Sequence, residues 1–186
     1  MTVVLGKWDK GLDFITTKAM LYSVVDNLGK MLMPLLPNKS ISLGKKFIYN
    51  SIAVIQLMNG ARAGEAVEML KVYASTGKTS FEITSEKTKL PRPAKIPNIV
   101  SKYKVLYNVY NDIIQATKKK AYIDYLKRTY GWNSHSLRYA FIKYLIDKGY
   151  TAEQIAIITA HKRINTTLDY ARKVNADKIL EQIQNE

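Results

Sequence analysis

Apolar residues recur at helical spacing through the first part of the chain. Residues 16–36 carry an apolar side chain every three or four positions, which predicts an amphipathic helix. Residues 44–60, GKKFIYNSIAVIQLMNG, are largely apolar and predict a buried helix that ends at the final glycine. The break between these helices offers Ser40 or Ser42 as the N-cap of the second one. A short helix is expected to follow in residues 62–73, after a tight turn.

The pattern changes from helical spacing to alternation at about residues 72–98. This stretch is rich in Thr, Phe, Ile and Val and is interrupted by glycine and proline, which predicts two or three short strands of the edge type. Helical spacing returns over residues 101–131, 134–150 (with Ser134 as the expected N-cap) and 151–161. Two short helices are expected to close the chain. The predicted fold class is therefore mainly α with a small antiparallel β-sheet, an α+β fold with the sheet inserted between helices.

Charge is the unusual feature of the composition. The 186-residue chain, a length that suits one domain, has 29 Lys and Arg against 15 Asp and Glu, a net charge of +14. Such an excess indicates a polyanionic partner, most simply nucleic acid. An anionic membrane surface is the competing partner, but the sequence has no lipidation motif and no apolar run of membrane-spanning length.

Cysteine and histidine usage narrows the chemistry further. The absence of cysteine excludes a disulfide framework and thiolate chemistry. With two histidines and no cysteine, an ordinary zinc site is not expected. The opening segment MTVVLGKWDK lacks the layout of a signal peptide, so we expect a cytoplasmic protein that associates with the nucleoid when it binds nucleic acid.

An ordered series of chemically active side chains begins before the predicted sheet and continues to near the end of the sequence. Its members are Arg62, Glu65, His135, Arg138, His161 and Tyr170. The first two are three positions apart, as are the third and fourth, so each pair shares one side of a helix. Taken alone, each pair is typical of a solvated or capping pair. Their joint order, which uses both histidines of the chain, is what indicates a site.

Three segments resemble the boxes of the tyrosine recombinase (phage integrase) family. MNGARAGEAVEML resembles the Thr-Gly-Leu-Arg-x-x-Glu segment, HSLRYAF resembles the His-x-x-Arg box, and ITAHKRINTTLDYAR resembles the Gly-His segment that leads to the nucleophilic tyrosine. Two positions depart from the pattern: Tyr139 stands where a second histidine is common, and Ala160 stands where glycine is usual. These departures bear on the subfamily, for which an archaeal, viral or plasmid integrase is the expectation.

The resemblance implies a role for each member of the series. Tyr170 is the expected nucleophile, which forms a 3′-phosphotyrosyl bond. Arg62 and Arg138 would bind the phosphate with their planar forks and stabilise its extra negative charge. His135 would shuttle a proton or donate to the phosphate, and His161 would hydrogen-bond and position the phosphate.

A lysine in the turn of the sheet would protonate the leaving 5′ oxygen. Lys87 lies at about the distance from Arg62 that the resemblance implies, and Lys89 is the alternative. Glu65 is expected to support Arg62 or a histidine by hydrogen bonding without transferring protons itself. The resemblance implies no metal, no ATP and no other cofactor.

The function implied is that of a site-specific DNA recombinase or integrase acting on double-stranded DNA, as a homotetramer on DNA and as a possible monomer when free. The alternatives are a type IB topoisomerase-like relaxing enzyme and a DNA-binding module without catalysis. Residues 1–174 would be the catalytic domain, with no N-terminal core-binding domain in this chain. Residues 175–186 would form a C-terminal helix that docks on a neighbouring subunit or packs on its own domain.

Two further patterns have simpler interpretations. The apolar stripe of Leu137, Phe141 and Leu145 predicts core packing. The basic segment ATKKKAY, residues 116–122, predicts a solvated face, with contact to a DNA backbone as the alternative.

Overall fold

The computed structural model describes residues 11–36 and 40–160, which form helices around one two-stranded sheet. In chain order the elements are α1 (Phe14–Leu32), a 3-10 turn (Met33–Leu35), α2 (Ile41–Asn59), α3 (Ala63–Thr76), β1 (Ser80–Thr84), β2 (Pro91–Lys95), α4 (Asn98–Ser101), α5 (Lys104–Val109), α6 (Asn111–Ala116), α7 (Lys119–Tyr130), α8 (Ser136–Asp147) and α9 (Ala152–Thr159). The expectation of a mainly helical chain with a small antiparallel sheet is confirmed.

Helix α2 is the centre of the fold. It is buried along most of its length, and α1, α3 and α8 pack around it. The side chain of Ser40 accepts a hydrogen bond from the Leu43 N–H at its start, and Gly60 ends it in a left-handed conformation, so both predicted ends are confirmed. The buried amide of Gln56 accepts a hydrogen bond from the Tyr122 hydroxyl (2.6 Å) and donates one to the Ser134 carbonyl (2.8 Å). These bonds tie the centre of the core to α7 and to the segment before α8.

The start of α8 differs from the prediction. The helix begins at Ser136 with His135 at the N-cap position, so the prediction of Ser134 as the capping residue was wrong. The side chain of Ser136 itself accepts a hydrogen bond from the Asn133 N–H. The Ser134 carbonyl is instead held by Gln56, which fixes this residue outside the helix. The predicted core stripe is confirmed, since Leu137, Phe141 and Leu145 are all buried.

The sheet lies between α3 and α4 in the chain, and the loop that joins its two strands is hydrogen-bonded to the start of α3. Strands β1 and β2 are antiparallel, with Ile83 opposite Arg92. Alternate residues of β2 point inward, which buries Arg92 and Ala94. Backbone hydrogen bonds from Ser85 N–H to the Leu90 carbonyl and from Lys89 N–H to the Ser85 carbonyl close the connecting loop.

The basic segment predicted to be solvated contains the end of α6 and the start of α7, and Lys118, Lys119 and Lys120 are all exposed. Within residues 11–36 and 40–160, none of the helices combines the length and apolar character needed to cross a membrane.

Candidate active site

A cleft of about 550 Å³ opens beside the N-terminus of α3. Its lining includes five charged side chains and one histidine, which are Arg62, Glu86, Lys87, Lys119, Arg138 and His135. Four of the residues singled out from the sequence therefore lie together, although they come from the α2–α3 turn, the hairpin loop and the start of α8. Because cations predominate in this lining, the cleft suits an anionic ligand.

Arg62 is placed at the cleft by the turn that follows α2. It occupies the N-cap position of α3, one residue after the buried Ala61 and two after the left-handed Gly60. Its Nη1 donates to Oε1 of Glu65 at 2.8 Å and to the Ser85 hydroxyl at 3.0 Å. The guanidinium is therefore fixed on one side and faces the cleft on the other.

Glu65 is a buried carboxylate that joins three segments of the chain. It is 2% exposed, and its Oε2 accepts hydrogen bonds from the Arg62 N–H and from Nη1 of Arg92, both at 3.0 Å. Its Oε1 accepts from the Ser85 hydroxyl (3.1 Å) and from the Glu86 N–H (3.2 Å). Burial alone would raise the pKa of Glu65, but the Arg62 hydrogen bonds and the charges of Arg92 and Arg62 outweigh it and lower that pKa to about 2. The expected hydrogen bonding between Glu65 and Arg62 is present, with Arg62 as the donor.

Arg92 is a part of this arrangement that the sequence reasoning missed. It is 1% exposed, and its Nη2 donates to the Asn59 carbonyl at 2.5 Å in addition to the bond with Glu65. Its Nε has no hydrogen-bond partner among the described residues. Burial lowers the pKa of Arg92, and the negative charge of Glu65 partly restores it. The alternation of β2 was the available signal, because it places Arg92 on the same face as the apolar Ala94.

Arg138 is a buried cation with carbonyl partners. It is 2% exposed, and its Nη1 and Nη2 donate to the carbonyls of Gly60 (2.6 Å) and Thr159 (2.9 Å). Within the described part of the chain it forms no ion pair with a carboxylate. Burial and the nearby charge of Arg62 lower the pKa of Arg138. A buried cation without a counter-ion strongly favours an anion in the adjoining cleft.

His135 lines the cleft together with both arginines and with Lys119 from the start of α7. Burial lowers the pKa of His135, and the positive charges of Arg138, Arg62 and Lys119 lower it further, against a smaller opposing effect of Glu86. The imidazole is therefore mostly neutral at pH 7 and has one nitrogen free of a proton. Such a ring is suited to accept a proton or to hydrogen-bond an anion.

The hairpin loop places the two candidate lysines differently. Lys87 lies in the turn after β1 and lines the cleft, whereas Lys89 is exposed in a left-handed backbone conformation (φ 60°) and is not among the lining residues. Lys119 and Glu86, which also line the cleft, were not selected from the sequence. They form an ion pair, with Nζ and Oε1 at 2.5 Å.

His161 and Tyr170 lie outside the described residues. The last described position is Ala160, which adopts φ 49°, in the left-handed region that glycine enters most easily. This conformation fits the resemblance noted above, in which glycine is usual at the position of Ala160. Among residues 11–36 and 40–160, no group of three His, Asp or Glu side chains is arranged to hold a metal ion.

Comparison with known proteins gives relatives over nearly the whole chain. The chain is 31% identical to the "Putative integrase ORF241" of Acidianus two-tailed virus in an alignment of 183 residues that covers 97% of this chain and 70% of that protein. It is 24% identical to the "Putative integrase V10" of Sputnik virophage, over 94% of this chain and 89% of that protein. A further relative is an uncharacterized protein of Methanocaldococcus jannaschii, 28% identical over 96% of this chain and 89% of its own length.

No family model matches the chain. The identity and coverage shared with the Acidianus virus protein are sufficient to assign the family directly. The chain therefore belongs to the integrase family represented by that viral protein.

Proposed function

We propose that this integrase is a tyrosine recombinase, which cleaves and rejoins double-stranded DNA through a 3′-phosphotyrosyl intermediate. The observation that carries the proposal is the convergence of Arg62, Lys87, His135 and Arg138 on one cleft from separate segments of the chain. The names of the viral relatives support DNA integration as the setting.

The chemistry starts with a scissile phosphate held by Arg62 and Arg138. Arg138 is buried and has no counter-ion within the described residues, and Arg62 shares its carboxylate with Arg92, so both retain positive charge for the phosphate. The extra negative charge of the pentacoordinate state is then stabilised by cations that are already in place. His161 adds a hydrogen bond that positions the phosphate.

Cleavage forms one bond and breaks one. The Tyr170 phenolic oxygen attacks the phosphorus, the phenol proton passes to the neutral ring of His135, and the bond between phosphorus and the 5′ oxygen breaks. Lys87 gives its proton to the leaving 5′ oxygen. Attack by a 5′ hydroxyl from another strand reverses these transfers and rejoins the DNA. Recombination between two sites requires four such subunits, so the proposed working assembly is a homotetramer on DNA.

A covalent adduct tests the proposal. The protein is mixed with duplexes that carry a nick next to the target phosphate, so that the released fragment diffuses away and the adduct accumulates. We expect a band that survives denaturation, that is lost in Tyr170→Phe, and whose linkage mass spectrometry assigns to Tyr170. An adduct that persists in Tyr170→Phe would overturn the assignment of the nucleophile.

The two alternatives give different outcomes in the same assays. A type IB topoisomerase-like enzyme would relax supercoiled plasmids of any sequence without joining strands from two sites. A DNA-binding module without catalysis would shift duplexes in a gel and form no adduct with any nicked substrate. Integration of a target-containing plasmid into a second plasmid separates the proposal from both.

A further inference from the structure

Lys119 and Glu86 form an ion pair at the edge of the cleft, where an ion pair contributes little to folding stability. Their Nζ and Oε1 atoms are 2.5 Å apart, while the two side chains are 49% and 43% exposed. Ion pairs with this degree of exposure contribute little to folding stability because water and salt screen them. The position of the pair therefore calls for another explanation.

The pair rests on the first turn of α3. A Cβ atom added to Gly64 would lie 2.7 Å from Oε2 of Glu86 and 3.3 Å from Cδ of Lys119, so the missing side chain of Gly64 leaves room for both. Gly64 comes two residues after Arg62. The Glu86 backbone is also held, because its N–H donates to Glu65 at 3.2 Å. Lys119 and Glu86 are thus placed next to the proposed phosphate-binding arginine by packing and by a backbone hydrogen bond.

Glu86 is also a carboxylate in a lining that is otherwise suited to an anion. Arg62, Lys87 and Arg138 line the same cleft, and Glu86 brings a negative charge into it. An incoming phosphate would be repelled by Glu86 if that carboxylate stayed in place. The Glu86 carboxylate oxygen accepts from the Lys119 ammonium group in the way that a phosphate oxygen would.

We propose that Lys119 is a further phosphate-binding residue of this site, and that Glu86 takes the place of a phosphate oxygen on it when no DNA is bound. The inference rests on the proposed function, since the ligand is a DNA phosphodiester. On binding, the phosphate accepts from the Lys119 ammonium and Glu86 turns toward solvent. No covalent bond changes in this exchange. A lysine suits the role because its ammonium is a mobile point charge that serves either partner.

Binding to a fluorescein-labelled DNA duplex tests the exchange, with all variants made in the Tyr170→Phe background so that no covalent chemistry interferes. Lys119→Ala should lower the affinity roughly tenfold, the value of one charge-assisted hydrogen bond. It should also reduce the slope of log affinity against log salt by about 1. Lys120→Ala is the matched control, because it removes an exposed lysine next in sequence that does not line the cleft. Glu86→Gln should raise the affinity.

A second readout needs no DNA. Lys119 lowers the pKa of His135 and Glu86 raises it, so NMR titration of the imidazole should show a higher pKa in Lys119→Ala and a lower one in Glu86→Gln. Lys120→Ala should leave that pKa nearer the wild-type value. This measurement reports whether the two side chains face the cleft in solution.

The outcomes separate this inference from the proposed function. Equal losses of affinity in Lys119→Ala and Lys120→Ala, or weaker binding by Glu86→Gln, would overturn the inference even if the Tyr170 adduct forms. If no adduct forms but Lys119→Ala still weakens DNA binding more than Lys120→Ala does, the recombinase chemistry is rejected and Lys119 remains a phosphate-binding residue.

Discussion

Nη1 of Arg92, a buried side chain that does not line the cleft, donates a hydrogen bond to Oε2 of Glu65 at 3.0 Å. The same carboxylate accepts from the side chain and the backbone of Arg62. Two guanidinium groups thus share one carboxylate, and one of them is completely buried. This arrangement holds Arg62 in place and still leaves net positive charge for a phosphate, which a simple one-to-one ion pair would not.

Removing the buried partner should be costly. Arg92→Met removes the positive charge but fills the space with an unbranched apolar side chain. The buried carboxylate of Glu65 then loses one of the two cations that neutralise it. Breaking such a pair typically costs 3–5 kcal/mol, so we expect the free energy of unfolding in urea to fall by about that amount. The control is Arg128→Met on the exposed face of α7, where a change within about 0.5 kcal/mol is expected. Equal stability of the two variants would contradict the buried pair.

Glu65 should also set the acid stability. Its pKa is lowered from the ordinary 4.5 to about 2 in the folded protein. A carboxyl with a depressed folded-state pKa stabilises the fold fully above its unfolded pKa, and this contribution is lost as pH falls through the folded pKa. We therefore expect stability to decline between about pH 4.5 and pH 2. Urea denaturation across this range should show a weaker decline in Glu65→Gln, and an unchanged slope would refute the assignment.

The helices could be predicted because their apolar spacing is local information, and four residues selected from the sequence, Arg62, Lys87, His135 and Arg138, line one cleft. The apolar face of α2 and the spacing between His135 and Arg138 are readable from residue type and position alone. Arg92 was missed because arginine is rarely buried, so an arginine on the inward face of a short strand is not expected to lie in the core. Its burial follows from the pairing of β2 with β1, which is set by tertiary contacts.

Lys119 lies in the segment 116–122, for which contact with a DNA backbone was the alternative prediction, but a different physical reason kept it from being selected as a site residue. It belongs to a run of three lysines, and which of them faces the cleft depends on the residue at which α7 begins. Helix ends are the part of secondary structure that sequence patterns define least well. The same uncertainty of one or two residues explains why the sequence favoured Ser134 as the N-cap of α8, where the structure has His135.

Adding a side chain at Gly60 should destabilise the fold, because both the backbone conformation and the neighbouring ring oppose it. Its φ of 55° is left-handed, and an added Cβ would overlap Cδ1 of Phe141 and lie 2.7 Å from Cε1 of that ring. We expect Gly60→Ala to lose about 2–4 kcal/mol of stability, from backbone strain plus overpacking. Gly131→Ala is the matched control, because it has a similar φ of 69° with open space around it, and should lose only about 1 kcal/mol. If thermal denaturation shows equal losses of stability in Gly60→Ala and Gly131→Ala, the Phe141 ring moves aside to accept the added Cβ.

Arg138 should not be replaceable by lysine. Its fork reaches the carbonyls of Gly60 and Thr159 together, which a single ammonium cannot do in the same geometry. We expect Arg138→Lys to slow single-turnover adduct formation roughly a hundredfold, as for the loss of one donor to a developing oxyanion. Because the charge is retained, affinity for the duplex should fall much less than the rate. If the affinity for the duplex and the rate of adduct formation fall by the same factor, Arg138 acts only in binding.

Lys87 and Lys89 can be separated by the chemistry of the leaving group. If Lys87 protonates the 5′ oxygen, Lys87→Ala should lower the adduct rate by about a hundredfold or more, within the range of general acid catalysis. Lys89→Ala should keep nearly the wild-type rate, because that lysine does not line the cleft. A substrate with sulfur in place of the bridging 5′ oxygen expels a thiolate, which needs little help from an acid. This substrate should restore the adduct rate of Lys87→Ala to near the wild-type rate. If the rate stays low, Lys87 acts in phosphate binding instead.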